Sequence, residues 1–186
     1  MDDKITCLFL PGLPGPQKDY QLLSDIKKFE VAVSWFTYTG TYDRKDQGTF
    51  SPHQAIIDIE GELERLEQKK RPYFIVAYSF STWVIRQVDI SGLKYCQSIL
   101  LFSPILSLSA ADICTDFTEL SQALDRAGDI AIDNTGFERV KERGKVDDFS
   151  SWLGRIARQK IPTFVFSSSQ DESGLSAEQI DKIKSN

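Results

Sequence analysis

One segment of the chain limits its fold more than any other, because it changes from strand to helix within a few residues. Residues 73–77 are apolar and β-forming, and residues 82–88 have the pattern of a helix. Only residues 78–81 separate the two. So short a turn is typical of α/β folds, in which parallel strands alternate with helices packed on both faces of the sheet.

The rest of the chain repeats this alternation. Short apolar runs predict further strands at residues 5–10, 31–38, 98–102 and 163–166. Helical periodicity predicts helices over residues 17–29 and about 56–66, and the polar stretch 39–52 between them predicts a loop. Residues 106–160 are predicted to be a mostly helical, cap-like insert. In such a fold, ligands are expected at the carboxyl ends of the strands.

Composition narrows the class of protein. With 186 residues, of which 41% are hydrophobic, the chain fits one domain spanning residues 1–186. The net charge is -5 and the basic residues are dispersed, which argues against a nucleic-acid partner. The chain shows no signal peptide and no membrane-spanning run, and its three cysteines are widely spaced, so we expect a cytoplasmic protein.

No cofactor or metal is indicated by the sequence. There is one histidine in the chain, and no cysteine lies near a second ligand group. The glycine-rich run at residues 11–15 does not end in Lys followed by Ser or Thr, so it is not a phosphate-binding loop.

Residues 74–83, FIVAYSFSTW, resemble the nucleophile elbow of the α/β-hydrolases, in which a serine sits on a strained turn between strand and helix. The resemblance makes Ser79 the nucleophile. The family has glycines at the two flanking positions, where this chain has Ala77 and Ser81. The alternative interpretation is an ordinary turn of small residues.

Residues 8–15, LFLPGLPG, are similar to the strand and oxyanion loop that precede the elbow in this family. The resemblance implies that the backbone N–H groups of Leu13 and Phe80 stabilise the negative charge that develops on the substrate. Pro14 has no N–H, which leaves Leu13 as the donor from this loop.

The remaining members of a catalytic triad are only partly matched. Residues 164–172 are similar to the late strand and loop that present the family's acid, which makes Asp171 the candidate. The family order then requires a histidine, but the 15 residues after Asp171 contain none. The single histidine, His53, is a surrogate base at most, because a lone histidine at a helix start is more often surface or capping structure. Asp171 also fits a solvated loop carboxylate.

Those 15 residues are also too few for the helix and strand that the family places there, so we expect the sheet to lack its last strand. Residues 163–166 would then form an open edge that pairs with a partner chain or with another copy. Three functional hypotheses follow: a serine hydrolase acting on an ester, thioester or similar acyl bond of a small molecule, a non-catalytic hydrolase-like binding protein, or a piece of a longer hydrolase.

Overall fold

The computed structural model describes residues 4–13, 21–41, 44, 48–105, 133 and 149–167. Within them, strands and helices alternate along the chain, and a short 3-10 helix, Lys27–Phe29, follows the first α-helix. The elements in order are β1 Thr6–Leu10, α1 Gln21–Ile26, β2 Ala32–Trp35, α2 Pro52–Gln68, β3 Tyr73–Tyr78, α3 Phe80–Gln87, β4 Cys96–Phe102, α4 Phe149–Gln159 and β5 Thr163–Phe166.

The five strands form one parallel sheet in the order β2-β1-β3-β4-β5. The chain moves outward from β1 to β2, and then returns to the other side of β1 to begin β3. The winding direction therefore reverses between β1 and β3. In open parallel sheets such a reversal leaves a crevice at the carboxyl ends of the two strands, because the loops that follow them diverge.

Both faces of the sheet carry a hydrophobic layer, as the sequence predicts for an α/β fold. On one face, buried residues of β1, β3 and β4 pack against α2, α3 and α4, with Ile59, Trp83 and Trp152 among the most buried side chains. On the other face, Cys7, Phe9 and Val76 form a smaller cluster, and Ile26 at the end of α1 packs against it. The sheet thus lies between helical layers.

Four strands agree closely with the sequence predictions, whereas β2, Ala32–Trp35, is shorter than the predicted 31–38. The described part of the first helix, Gln21–Ile26, lies within the predicted 17–29. The strand at residues 163–166 has the predicted bounds, and β3 is one residue longer. Residues 14–20, where the first helix was predicted to begin, lie outside the described part. Most of the 106–160 insert also lies outside it, so the cap and the single domain stay predictions. No described helix has the length and apolar character needed to cross a membrane.

Two adjacent isoleucines in α2 give a matched test of this packing. Ile56 is fully buried between the helix and the sheet, whereas its neighbour Ile57 is 38% exposed. We expect Ile56→Ala to lower the free energy of unfolding by about 2–5 kcal/mol, because it removes buried methyl groups and leaves a cavity. Ile57→Ala should cost less than about 1 kcal/mol. Urea unfolding of both variants measures the difference, and equal losses would contradict the packing.

Candidate active site

Ser79 is the single residue between β3 and α3, and it lies at the carboxyl ends of the strands. Its backbone has a φ of 48° and a ψ of -117°, a conformation that L side chains adopt only under constraint. The turn is this tight because β3 runs without a loop into α3, whose first residue is Phe80. The side chain of Ser79 is half-buried.

Hydrogen bonds hold the strained residue on both sides. The backbone N–H of Ser79 donates to the carbonyl oxygen of Phe102 on β4, at 3.0 Å. The Thr82 hydroxyl donates to the carbonyl oxygen of Ser79, at 2.6 Å, and accepts the backbone N–H of Ile105, at 3.0 Å. Thr82 therefore links the turn at Ser79 to the loop after β4.

Ser81, which stands where the α/β-hydrolase pattern has a glycine, has a defined role in the structure. Its fully buried hydroxyl donates a hydrogen bond to the carbonyl oxygen of Pro11, just after β1. A carbonyl oxygen only accepts, so the proton of Ser81 is committed to Pro11. The buried Tyr38 hydroxyl, which also contacts the Ser81 oxygen, must then be the donor to it. This Tyr38–Ser81–Pro11 chain joins three segments that are far apart in sequence.

The two predicted oxyanion donors are close in sequence to Pro11 and Ser81, which this chain of hydrogen bonds joins. Leu13 follows Pro11 by two residues, and its half-buried side chain packs against the main core. Phe80 is the first residue of α3. Leu13 follows β1 and Phe80 follows β3, the two strands between which the winding direction reverses. The role of Leu13 and Phe80 in stabilising charge stays a prediction.

His53 lies in the first turn of α2, not in a loop. Ser51 caps that helix, because its hydroxyl accepts the backbone N–H of Gln54 at 3.0 Å, and Pro52 occupies the first helical position. The His53 side chain is half-buried and has interactions of its own. Because α2 connects the parallel strands β2 and β3, its amino end lies on the carboxyl side of the sheet, and His53 lies there with it.

An aromatic group connects the start of α2 with the turn at Ser79. The ring of Phe50 lies 5.7 Å from the ring of Phe80 and 5.8 Å from that of Tyr38, both in edge-to-face contact. The carbonyl oxygen of Phe50 accepts the backbone N–H of Asp133, at 2.8 Å. Asp133 lies within the predicted insert, so at this one residue the insert contacts the segment just before α2.

The described residues were also compared with two other kinds of site, a cysteine nucleophile and a metal centre. Burial raises the pKa of the Cys7 and Cys96 thiols to about 12, which keeps both protonated at neutral pH and makes them poor nucleophiles. In the described ranges, no group of three or more His, Cys, Asp or Glu side chains is arranged to hold a metal ion. Asp171, the predicted triad acid, lies outside the described residues.

Comparison with known proteins relates this geometry to a fold family. No family model matches the sequence, and no curated protein is similar to it in sequence. The structure is similar to that of a hydrolase from Oleispira antarctica, with a TM-score of 0.62 and 15% identity over 98% of this chain and 79% of that one. A lipase-esterase related protein from Clostridium acetobutylicum gives a TM-score of 0.59 and 13% identity over 98% and 82%.

The type II thioesterase of the yersiniabactin biosynthetic pathway gives a TM-score of 0.55 and 15% identity over 97% of this chain and 79% of that one. Identities this low establish the fold and nothing finer. The chain therefore has the α/β-hydrolase fold, which confirms the fold that the sequence resemblance implies.

The sequence predicts the position of Ser79 but not the hydrogen bonds that hold its turn in place. The sequence predicts a strand at Tyr38, and Ser81 differs from the α/β-hydrolase pattern only as a departure from glycine. Hydroxyl residues follow Ser79 at the second and third positions, and that pattern is the available signal for local hydrogen bonding. Nothing in the sequence indicates Pro11 as the acceptor, because it lies 70 residues from Ser81.

The backbone strain at Ser79 predicts an unusual response to substitution. We expect Ser79→Gly to raise the free energy of unfolding by roughly 1 kcal/mol, because glycine adopts this conformation without steric cost. Ser79→Ala should bring no such gain, because alanine keeps the Cβ that causes the strain. Denaturant unfolding of the two variants beside wild type is the measurement. Ser79→Gly less stable than Ser79→Ala would contradict the strained turn.

The Tyr38–Ser81–Pro11 chain predicts an order of stabilities. Ser81→Ala should cost about 1–3 kcal/mol, because it leaves the Tyr38 hydroxyl and the Pro11 carbonyl buried without their shared partner. Tyr38→Phe should cost about 1 kcal/mol, since Ser81 still donates to Pro11. Thermal unfolding of both single variants and of the double variant tests this. Additive losses would show that the two hydroxyls are not coupled.

Proposed function

We propose that the chain is a serine hydrolase that cleaves ester or thioester bonds of a small acyl substrate, with Ser79 as the nucleophile. The observation that carries the proposal is the backbone conformation of Ser79, a non-glycine residue at positive φ between a parallel strand and a helix. Strain of this kind persists where surrounding structure over-determines it, and it is typical of sites where one side chain must be presented.

In the proposed reaction, the Ser79 oxygen attacks the carbonyl carbon of the substrate while its proton passes to a base. The negative charge moves to the carbonyl oxygen, where the backbone N–H groups of Leu13 and Phe80 stabilise it. Collapse of this intermediate breaks the bond to the leaving alcohol or thiol, which takes the proton. Water then attacks the acyl-serine, which releases the acid and restores the Ser79 hydroxyl.

The proposed acid is Asp171, and the candidate base within this chain is His53. Two points support His53: it is the single histidine of the sequence, and α2 begins at the same edge of the sheet as Ser79. A base contributed by other protein segments is the alternative. The two sources predict different results when His53 is replaced.

The first experiment is labelling with a fluorophosphonate, which reacts with activated serines. We expect wild type to gain one phosphonyl group, detected by intact mass, and Ser79→Ala to gain none. The matched control is Ser98→Ala, which removes a serine hydroxyl from β4 and should label at the wild-type rate. Wild type that is folded but unlabelled would overturn the proposal and favour a non-catalytic role in binding.

The same probe tests His53. If His53 is the base, His53→Ala should slow labelling by about a hundredfold or more, as expected for loss of general-base assistance. An unchanged rate in His53→Ala would assign the base to another segment while leaving Ser79 as nucleophile.

A further inference from the structure

The last strand, β5, forms one end of the sheet in the described part of the chain, and it exposes two large apolar side chains. Its side chains alternate, with Thr163 and Val165 directed toward the main core and Phe164 and Phe166 toward the opposite face. Phe164 is 52% exposed and Phe166 is 44% exposed. Phe166 also stacks on Phe102 of β4, with ring centroids 4.5 Å apart.

The hydrogen bonds between β4 and β5 show which backbone groups face outward. The N–H of Ile99 donates to the carbonyl oxygen of Pro162, and that of Ser103 donates to Phe166. In a parallel ladder, alternate residues point their N–H and C=O toward the same neighbour. The backbone hydrogen-bonding groups of residues 162, 164 and 166 therefore point toward β4. The backbone N–H and C=O groups of Thr163, Val165 and Ser167 point away from the sheet.

The edge is also free of charge. Residues 161–167 contain no charged side chain, although the whole chain has a net charge of -5. Natural edge strands are usually protected by lysine, proline or a bulge, which interfere with pairing. On the outward-facing positions of β5 there is none of these, so two such edges meet without repulsion between like charges.

We propose that β5 is an interface that pairs with β5 of a second copy of this chain, in antiparallel orientation about a two-fold axis at Val165. Two identical edges related by a two-fold axis must run antiparallel, which makes the contact self-complementary. In this register Val165 lies opposite Val165 of the other copy, and Thr163 lies opposite Ser167. All three are the outward-facing residues, so the register forms six backbone hydrogen bonds.

The same register also pairs the exposed aromatic side chains. Phe164 of each copy lies opposite Phe166 of the other, at positions that are not hydrogen-bonded, where opposed Cα atoms approach to about 4.5 Å. Cross-strand aromatic pairs stabilise antiparallel ladders. The stack of Phe102 on Phe166 would thus continue across the interface. Shifting the register by two residues leaves four hydrogen bonds and places Phe166 opposite either Pro162 or Phe166 of the other copy.

The first test is the oligomeric state of the purified full chain, from sedimentation velocity over a range of concentrations. We expect a monomer–dimer equilibrium. Val165→Pro should raise its dissociation constant about tenfold or more, because it removes an N–H donated to the partner while the bonds to β4 remain. Phe164→Lys should do the same. The matched control is Phe29→Lys, at a phenylalanine that is 77% exposed away from β5, and it should leave the equilibrium unchanged.

Cysteine cross-linking tests the register. Opposed hydrogen-bonded residues have Cα atoms about 5.5 Å apart, within the range that a disulfide spans. Val165→Cys should therefore form a disulfide-linked dimer under mild oxidation. Thr163→Cys should not, because the two copies of residue 163 lie roughly 13 Å apart along the ladder. A wild type that stays monomeric, or linking by Thr163→Cys instead, would overturn the proposal whatever the outcome at Ser79.

Discussion

The turn between β3 and α3 is the constraint on which the rest of the candidate site depends. β3 is in register with β1 on one side and β4 on the other, and α3 must start at once in order to pack its buried face on the sheet. With one residue available for the reversal, Ser79 takes a left-handed φ that costs about 1–3 kcal/mol. The cost is tolerated because hydrogen bonds from neighbouring segments fix both of its peptide groups.

The departures from glycine beside Ser79 are explained by the same geometry. Ala77 is fully buried within β3, and its methyl group belongs to the main core on one face of the sheet. At Ser81 a glycine would remove the partner that the Tyr38 hydroxyl and the Pro11 carbonyl share in a buried region. The hydroxymethyl group occupies that space and satisfies both. Serine in place of glycine at position 81 therefore restricts the backbone but fixes the turn to the loop that carries Leu13.

How far the sequence predicts this structure depends on the range of the interactions involved. The strand at residues 163–166 and the strand-turn-helix around Ser79 are set by local apolar runs and by one short turn, and both are predicted correctly. The pairing of Ser81 with Tyr38 and Pro11 depends on which strands become neighbours, which no local pattern encodes. The face of β5 that remains open likewise depends on how far helices extend over the sheet. Asp171 lies outside the described residues, so its role rests on the resemblance alone.

The geometry of the proposed dimer limits where a general base for Ser79 can come from. Antiparallel pairing of two β5 strands continues the sheet, but it points the carboxyl ends of the two sets of strands in opposite directions. Next to the carboxyl edge that holds Ser79, the second copy would present the amino ends of its own strands. Its His53, at the carboxyl side, would lie at the far edge. A two-fold contact through β5 therefore cannot bring the His53 of one copy to the Ser79 of the other. In the proposed hydrolase, the base would come from within the same chain or from a different protein segment.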